Sequence, residues 1–137
     1  MLRELTINDY QDTLQIENAK ENLDVNRLCL PTQKGFIIIK LEDIIYCEAQ
    51  RSYTNFHLVD NKKIMISKPL FDYDKLLSNS MFLRIHRSFL INLMHVKEYV
   101  RGEGGAVMMT NGSEIEVSRR KKELFIFRIK ECFKTVC

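Results

Sequence analysis

The chain has 137 residues, of which 45% are hydrophobic and 28% are charged. This length suits one domain with its own core, and the hydrophobic fraction excludes a wholly disordered chain. No apolar run approaches the ~20 residues that span a bilayer, and the first residues do not form a secretory signal. We therefore expect a cytoplasmic protein that does not bind a membrane.

The cysteines and histidines do not predict a metal site or a disulfide framework. No two of the four cysteines form a CxxC pair, and the three histidines lack ligand spacing. We therefore expect reduced thiols and no cofactor. Cys47 lies within an apolar run and is predicted to be a small core residue.

The formal net charge of +3 is unevenly distributed. Residues 1–30 contain three basic and six acidic residues, whereas residues 31–137 contain 18 basic and 12 acidic residues. We interpret residues 1–30 as a linker or short helix that ends at Pro31, because a proline disfavours helix at the preceding residue. Residues 31–137 are predicted to be one domain, and their excess of cations favours a polyanionic partner.

From residue 34 onward, short β-branched or alternating runs predict strands. These runs cover residues 35–40, 43–49, 53–59, 62–67, 82–91, 96–101, 106–110 and 114–118. Asp60-Asn61 and Asn111-Gly112 predict hairpin turns. Pro69 favours a short helix over residues 69–78, and residues 119–133 are predicted to form a second helix. The fold class is therefore mostly β, with one short internal helix and one C-terminal helix.

A run of cations follows Ser118, which is a good helix N-cap. The run comprises Arg119, Arg120, Lys121 and Lys122. Cations are unfavourable in the first turn of a helix, so their presence there suggests a bound anion such as phosphate. A solvated basic face is the alternative.

Two further polar stretches interrupt apolar strands. The triplet His86, Arg87 and Ser88 separates two apolar half-strands, and a polar link follows the strand that ends near Ala49. Arginine can bind guanine or a phosphate, and hydroxyl groups can bind phosphates. Alternatively, Arg84 and Arg87 form surface salt bridges, His86 makes a structural hydrogen bond, and the polar link is an ordinary surface turn. No paired carboxylates or nucleophile elbow indicate an enzyme.

Three blocks together resemble the LytTR-type DNA-binding domain of bacterial response regulators. They are residues 43–49 (DIIYCEA), 82–92 (FLRIHRSFLIN) and 117–120 (VSRR). The resemblance implies antiparallel sheets packed on one another, with loops that enter successive major grooves. It implies DNA contacts by Arg51, Ser52, Tyr53, Thr54, His86, Arg87, Ser88, Arg119 and Arg120. We assign base contacts to Arg87 and Arg120, and add Lys121 and Lys122 as phosphate contacts.

The expected function is sequence-specific binding of double-stranded DNA that regulates transcription, as the output domain of a two-component response regulator. Further expected partners are a second copy on repeated half-sites and, if the chain is a fragment, a receiver domain in cis. The alternative function is a β-rich interaction module that docks an acidic partner.

Overall fold

The computed structural model describes residues 25–78, 80–102 and 104–136. Within these residues the chain forms ten β-strands and two α-helices. They are β1 (Arg27–Thr32), β2 (Gly35–Lys40), β3 (Ile44–Gln50), β4 (Tyr53–Leu58), β5 (Lys63–Ile66), α1 (Leu70–Leu77), β6 (Phe82–His86), β7 (Phe89–Asn92), β8 (Val96–Val100), β9 (Ala106–Met109), β10 (Glu114–Glu116) and α2 (Lys122–Cys132).

A five-stranded antiparallel sheet, in the order β5–β4–β3–β7–β6, forms the middle layer. One face packs against α1 and the β1–β2 ribbon around Phe56, and the other packs against the β8–β9–β10 sheet and α2 around Phe125. The predicted fold class, mostly β with antiparallel sheets packed on one another, is confirmed. Cys47 is a core residue as predicted, and its burial raises the pKa of its thiol well above the usual value.

Both predicted hairpins form. Asp60 and Asn61 have φ angles of 62° and 58°, which is the left-handed conformation that a tight hairpin needs and that these residues tolerate. Gly112 has a φ angle of 88° in the connection between β9 and β10. The internal helix is also confirmed, since α1 starts directly after Pro69 and buries Leu70, Tyr73 and Leu77.

The C-terminal helix is shorter than predicted. Residues Arg119–Lys121 form a 3-10 turn, and the α-helix runs only over Lys122–Cys132. Phe125 is fully buried and Ile129 packs beside it, whereas Phe133 lies past the helix end and is exposed. No helix in the described part of the chain is long and apolar enough to cross a membrane.

The prediction that residues up to 30 form a linker or short helix is wrong for residues 27–30. They belong to β1, where Leu28 and Leu30 point into the core and are 5% and 0% exposed. Pro31 continues the strand and pairs with Phe36. Among the described residues β1 pairs only with β2, and an unpaired strand edge tolerates proline. Residues 1–24 of this predicted acidic linker or short helix, which we call the acidic leader, lie outside the described residues.

Substitutions in β1 test this placement. We expect Leu30→Ala to lower the free energy of unfolding by about 2–5 kcal/mol, because it leaves a cavity in the core. Cys29→Ala, on the exposed side of the same strand, should change it by less than about 0.5 kcal/mol. Chemical denaturation measures both values. Equal, negligible effects would mean that this segment is a linker after all.

Candidate nucleic-acid interface

The three polar stretches of the sequence meet at one end of the five-stranded sheet, which we call the loop edge. At the loop edge β3, β5 and β6 end, while β4 and β7 begin. The register aligns these ends, because Glu48 pairs with both Asn55 and Phe89, and Phe89 also pairs with His86. The turn at residues 51–52 and the turn at residues 87–88 therefore lie about two strand spacings, or ~10 Å, apart.

The turn between β3 and β4 presents three of the predicted residues to solvent. Arg51 has a φ angle of 57°, an uncommon conformation for an arginine that makes the two-residue turn possible. Ser52 is exposed, and Tyr53 is 40% exposed. The Asn55 side chain donates a 2.6 Å hydrogen bond to Gln50 Oε1, which ties together the two strands that flank the turn.

Thr54, the fourth predicted residue of this stretch, does not face solvent. Its side chain is 0% exposed, and its hydroxyl donates a 2.8 Å hydrogen bond to the carbonyl oxygen of Lys68. Strand residues alternate between faces, and Thr54 falls on the face that carries Phe56. The prediction that Thr54 contacts DNA is therefore corrected, because its only polar group is buried and in use.

The two half-strands around His86 fold back on each other as β6 and β7. The backbone N–H of Ser88 donates to His86 Nδ1 over 3.1 Å, so a neutral His86 carries its proton on Nε2. The carbonyl oxygen of Ser88 accepts from the N–H of Ala49 over 2.8 Å, which joins this turn to β3. His86 and Ser88 are half-buried, whereas Arg87 is exposed at the tip of the turn.

The Arg84 side chain binds the backbone of this turn. Its Nε donates to the carbonyl oxygen of His86 over 3.0 Å, and its Nη2 donates to the carbonyl oxygen of Arg87. Its Nη1 lies 3.5 Å from an Asp74 carboxylate oxygen on α1. The planar guanidinium thus binds two carbonyl groups and one carboxylate, an arrangement that fits an arginine and not a lysine.

The basic run beside β6 has a different local structure from the one predicted. Arg119, Arg120 and Lys121 precede the α-helix in the 3-10 turn, and Lys122 is its first residue. The N–H of Lys121 already donates to the Ser118 carbonyl oxygen, and Ser118 makes no side-chain cap. The predicted start of the α-helix at residue 119 is therefore corrected to residue 122, whereas phosphate binding by these cations stays a prediction.

This cluster nevertheless lies at the loop edge. The N–H of Ser118 donates a 2.8 Å hydrogen bond to the Ile85 carbonyl oxygen, one residue before His86. Arg119 and Arg120 are exposed, whereas Lys121 and Lys122 are half-buried. Of the carboxylates on the neighbouring elements, Asp74 pairs with Arg84, and Glu48 Oε1 lies 2.9 Å from His57 Nε2. The four cations of the run and Arg51 and Arg87 of the two turns give the loop edge more cationic than acidic side chains.

Sequence reasoning missed three features of this edge. The alternative interpretation of Arg84 as a surface ion-pair residue describes its contact with Asp74 but not its two carbonyl contacts. The Gln50–Asn55 pair depends on strand register and has no local sequence signal. Lys68 follows β5 and reaches the loop edge only because β5 pairs with β4.

Comparison with known proteins defines the class of this domain. Residues 34–129 match the family described as the LytTr DNA-binding domain. A solved LytTr DNA-binding domain from Bacillus cereus aligns with a TM-score of 0.65, at 24% identity, over 77% of this chain and 98% of that one. This structural alignment shows that the two domains have the same fold. The chain is thus a DNA-binding domain of the kind found in response regulators and transcriptional regulators.

More specifically, the chain belongs to the LytTR family, which confirms the resemblance seen in the sequence. It is 31% identical over 113 residues to the sensory transduction protein LytT of Bacillus subtilis, covering 81% of this chain and 45% of that protein. It is 34% identical over 84 residues to the transcriptional regulatory protein LytR of Staphylococcus aureus, covering 60% and 34%. The chain spans less than half the length of these relatives.

The contacts of Arg84 lead to a stability prediction. We expect Arg84→Lys to lower the free energy of unfolding by about 1–3 kcal/mol, because one ammonium group cannot replace a guanidinium that contacts two carbonyl oxygens and one carboxylate at once. The matched control is Arg87→Lys, an exposed position three residues away, where the change should stay within about 0.5 kcal/mol. Equal effects in urea denaturation would contradict the structural role of Arg84.

Proposed function

We propose that this domain binds double-stranded DNA in a sequence-specific manner and thereby regulates transcription in the cytoplasm, without catalysing a reaction. The observation that supports this most directly is the meeting of three cationic stretches at one edge of a rigid sheet. A polyanion can contact all three at once, because they lie within a few strand spacings of one another. The loops, rather than a recognition helix, enter the major groove.

The exposed arginines are the best candidates for reading bases. Arg87 stands at the tip of a turn whose backbone is fixed by Arg84, and Arg120 projects from the 3-10 turn beside β6. A guanidinium can bind the O6 and N7 atoms of guanine with two hydrogen bonds. We assign phosphate contacts to Arg51, Ser52, Tyr53, Arg119, Lys121 and Lys122. His86 and Ser88, on either side of Arg87, remain proposed DNA contacts.

The relatives support a role downstream of a signal. One is named a sensory transduction protein and another a transcriptional regulatory protein, and both are more than twice as long as the matched region. We therefore propose that the domain acts as the output part of a two-component response regulator, with a receiver domain in cis. A second copy would bind a repeated half-site on the same face of the DNA.

The rival function is docking of an acidic protein partner. It shares the positive charge but not the dependence on base sequence. Binding to duplex DNA that weakens with salt and prefers one sequence over its scrambled version supports DNA recognition. Binding that is equally tight for both sequences at all salt concentrations would favour the rival.

Single substitutions should separate base reading from charge. We expect Arg87→Ala and Arg120→Ala each to lose roughly 1–3 kcal/mol of discrimination between the cognate duplex and a scrambled one. Lys121→Ala and Lys122→Ala should weaken both duplexes alike, since a phosphate contact carries no sequence information. Fluorescence anisotropy with both duplexes measures the ratio. If both arginine variants keep full discrimination, the assignment of base reading is wrong.

Deletion of the acidic leader should not weaken DNA binding. Residues 1–24 contain two basic and six acidic residues, and they precede the family match. A chain that begins at Val25 keeps all of β1 and should bind the cognate duplex at least as tightly as the full chain. A loss above ~10-fold, about 1.4 kcal/mol, would show that the leader belongs to the interface. A cut near Cys29 is unsuitable because it would divide β1.

A further inference from the structure

Lys68 is a cation at the loop edge that belongs to none of the three motifs. It lies two residues beyond the end of β5, and β5 is the outermost strand on the side away from the basic run. Thr54 pairs with Ile66 in the sheet, and the Thr54 hydroxyl donates a 2.8 Å hydrogen bond to the Lys68 carbonyl oxygen. The Lys68 side chain is exposed.

The backbone of Lys68 is fixed from both sides. Thr54 is fully buried, so its hydrogen bond anchors the Lys68 carbonyl to the core of the sheet. Pro69 follows with φ −71° and ψ 153°, and a proline confines the preceding residue to extended conformations. The backbone position of Lys68 is therefore fixed, and only its flexible side chain can change conformation.

The charge of Lys68 is available to a ligand. Among the described residues, no carboxylate lies within ion-pair distance of its ammonium group. Asp74 on the neighbouring helix α1 pairs instead with Arg84. An unpaired ammonium group on a stiff backbone is well suited to binding phosphate, because lysine binds phosphates as a point charge.

The spacing between β5, which Lys68 follows, and the neighbouring turn is close to half the width of the DNA major groove. β5 lies about one and a half strand spacings, or ~7 Å, from the middle of the turn at residues 51–52. The major groove is about 12 Å wide, so its phosphate wall lies about 6 Å from its centre. If the turn enters the groove, Lys68 lies near the row of phosphates that borders the groove on the β5 side.

We propose that Lys68 binds a backbone phosphate at the outer wall of the groove that receives residues 51–53. This inference rests on the proposed function and extends it. The DNA interface then covers the whole width of the five-stranded sheet, from Lys68 at β5 to Lys122 beyond β6. Thr54 takes part indirectly, by holding the backbone that carries the lysine.

The test compares two lysines at opposite ends of β5. Lys68→Ala removes the charge at the loop edge, and Lys62→Ala removes an exposed charge six residues earlier, in the turn at the other end of the strand. Both variants change the net charge equally. Affinity for a mixed-sequence duplex is measured over a series of salt concentrations, and the Lys68→Arg variant is included because it keeps the charge.

We expect Lys68→Ala to reduce the slope of log K against log salt by about 0.9, the contribution of one phosphate contact to duplex DNA. Lys62→Ala and Lys68→Arg should keep the slope of the unmodified protein. Equal slopes for Lys68→Ala and Lys62→Ala, in a protein that binds DNA and loses discrimination when Arg87 is replaced, would overturn this inference alone. If the unmodified protein shows no salt-dependent duplex binding, the proposed function fails and this inference fails with it.

Discussion

The pairing of β3 with β7 is the interaction on which the candidate interface depends. It places Glu48 opposite Phe89, and it continues past the strands as the hydrogen bond from Ala49 to the Ser88 carbonyl oxygen. Two hairpins that are far apart in sequence thereby become neighbours in one sheet, with their turns at the same edge. Because Ile91 and Leu90 on β7 are buried on opposite faces, this register is fixed by both cores at once.

A rigid edge is an advantage for a domain that concentrates positive charge. Cations close together repel one another, and only a backbone held by buried strands and by contacts such as those of Arg84 can keep them in place. The conformational entropy of the loops is lost during folding, so its loss does not weaken DNA binding. The hydrogen bond between Gln50 and Asn55 likewise holds the turn between β3 and β4, where Arg51 adopts the left-handed conformation.

Features that depend on neighbouring residues could be predicted from the sequence, whereas those that depend on strand pairing between distant segments could not. Asp60-Asn61 and Asn111-Gly112 specify their turns by backbone preference alone, and both hairpins formed as predicted. Pro31 was misinterpreted, since the neighbouring sequence does not reveal that β1 pairs with β2 alone among the described residues. Thr54 and Ser52 are both small hydroxyl residues in one polar stretch, yet register buries the first and exposes the second. The family resemblance identified the domain but could not assign these orientations.

The central claim, that the loop edge reads a DNA sequence, is tested most directly by selecting bound duplexes from a random pool and sequencing them over successive rounds. The account predicts that one short motif is enriched, and that the enrichment is lost when Arg87 and Arg120 are both replaced by alanine. A pool that binds without enrichment of any motif, or the same motif enriched by the doubly substituted protein, would contradict it.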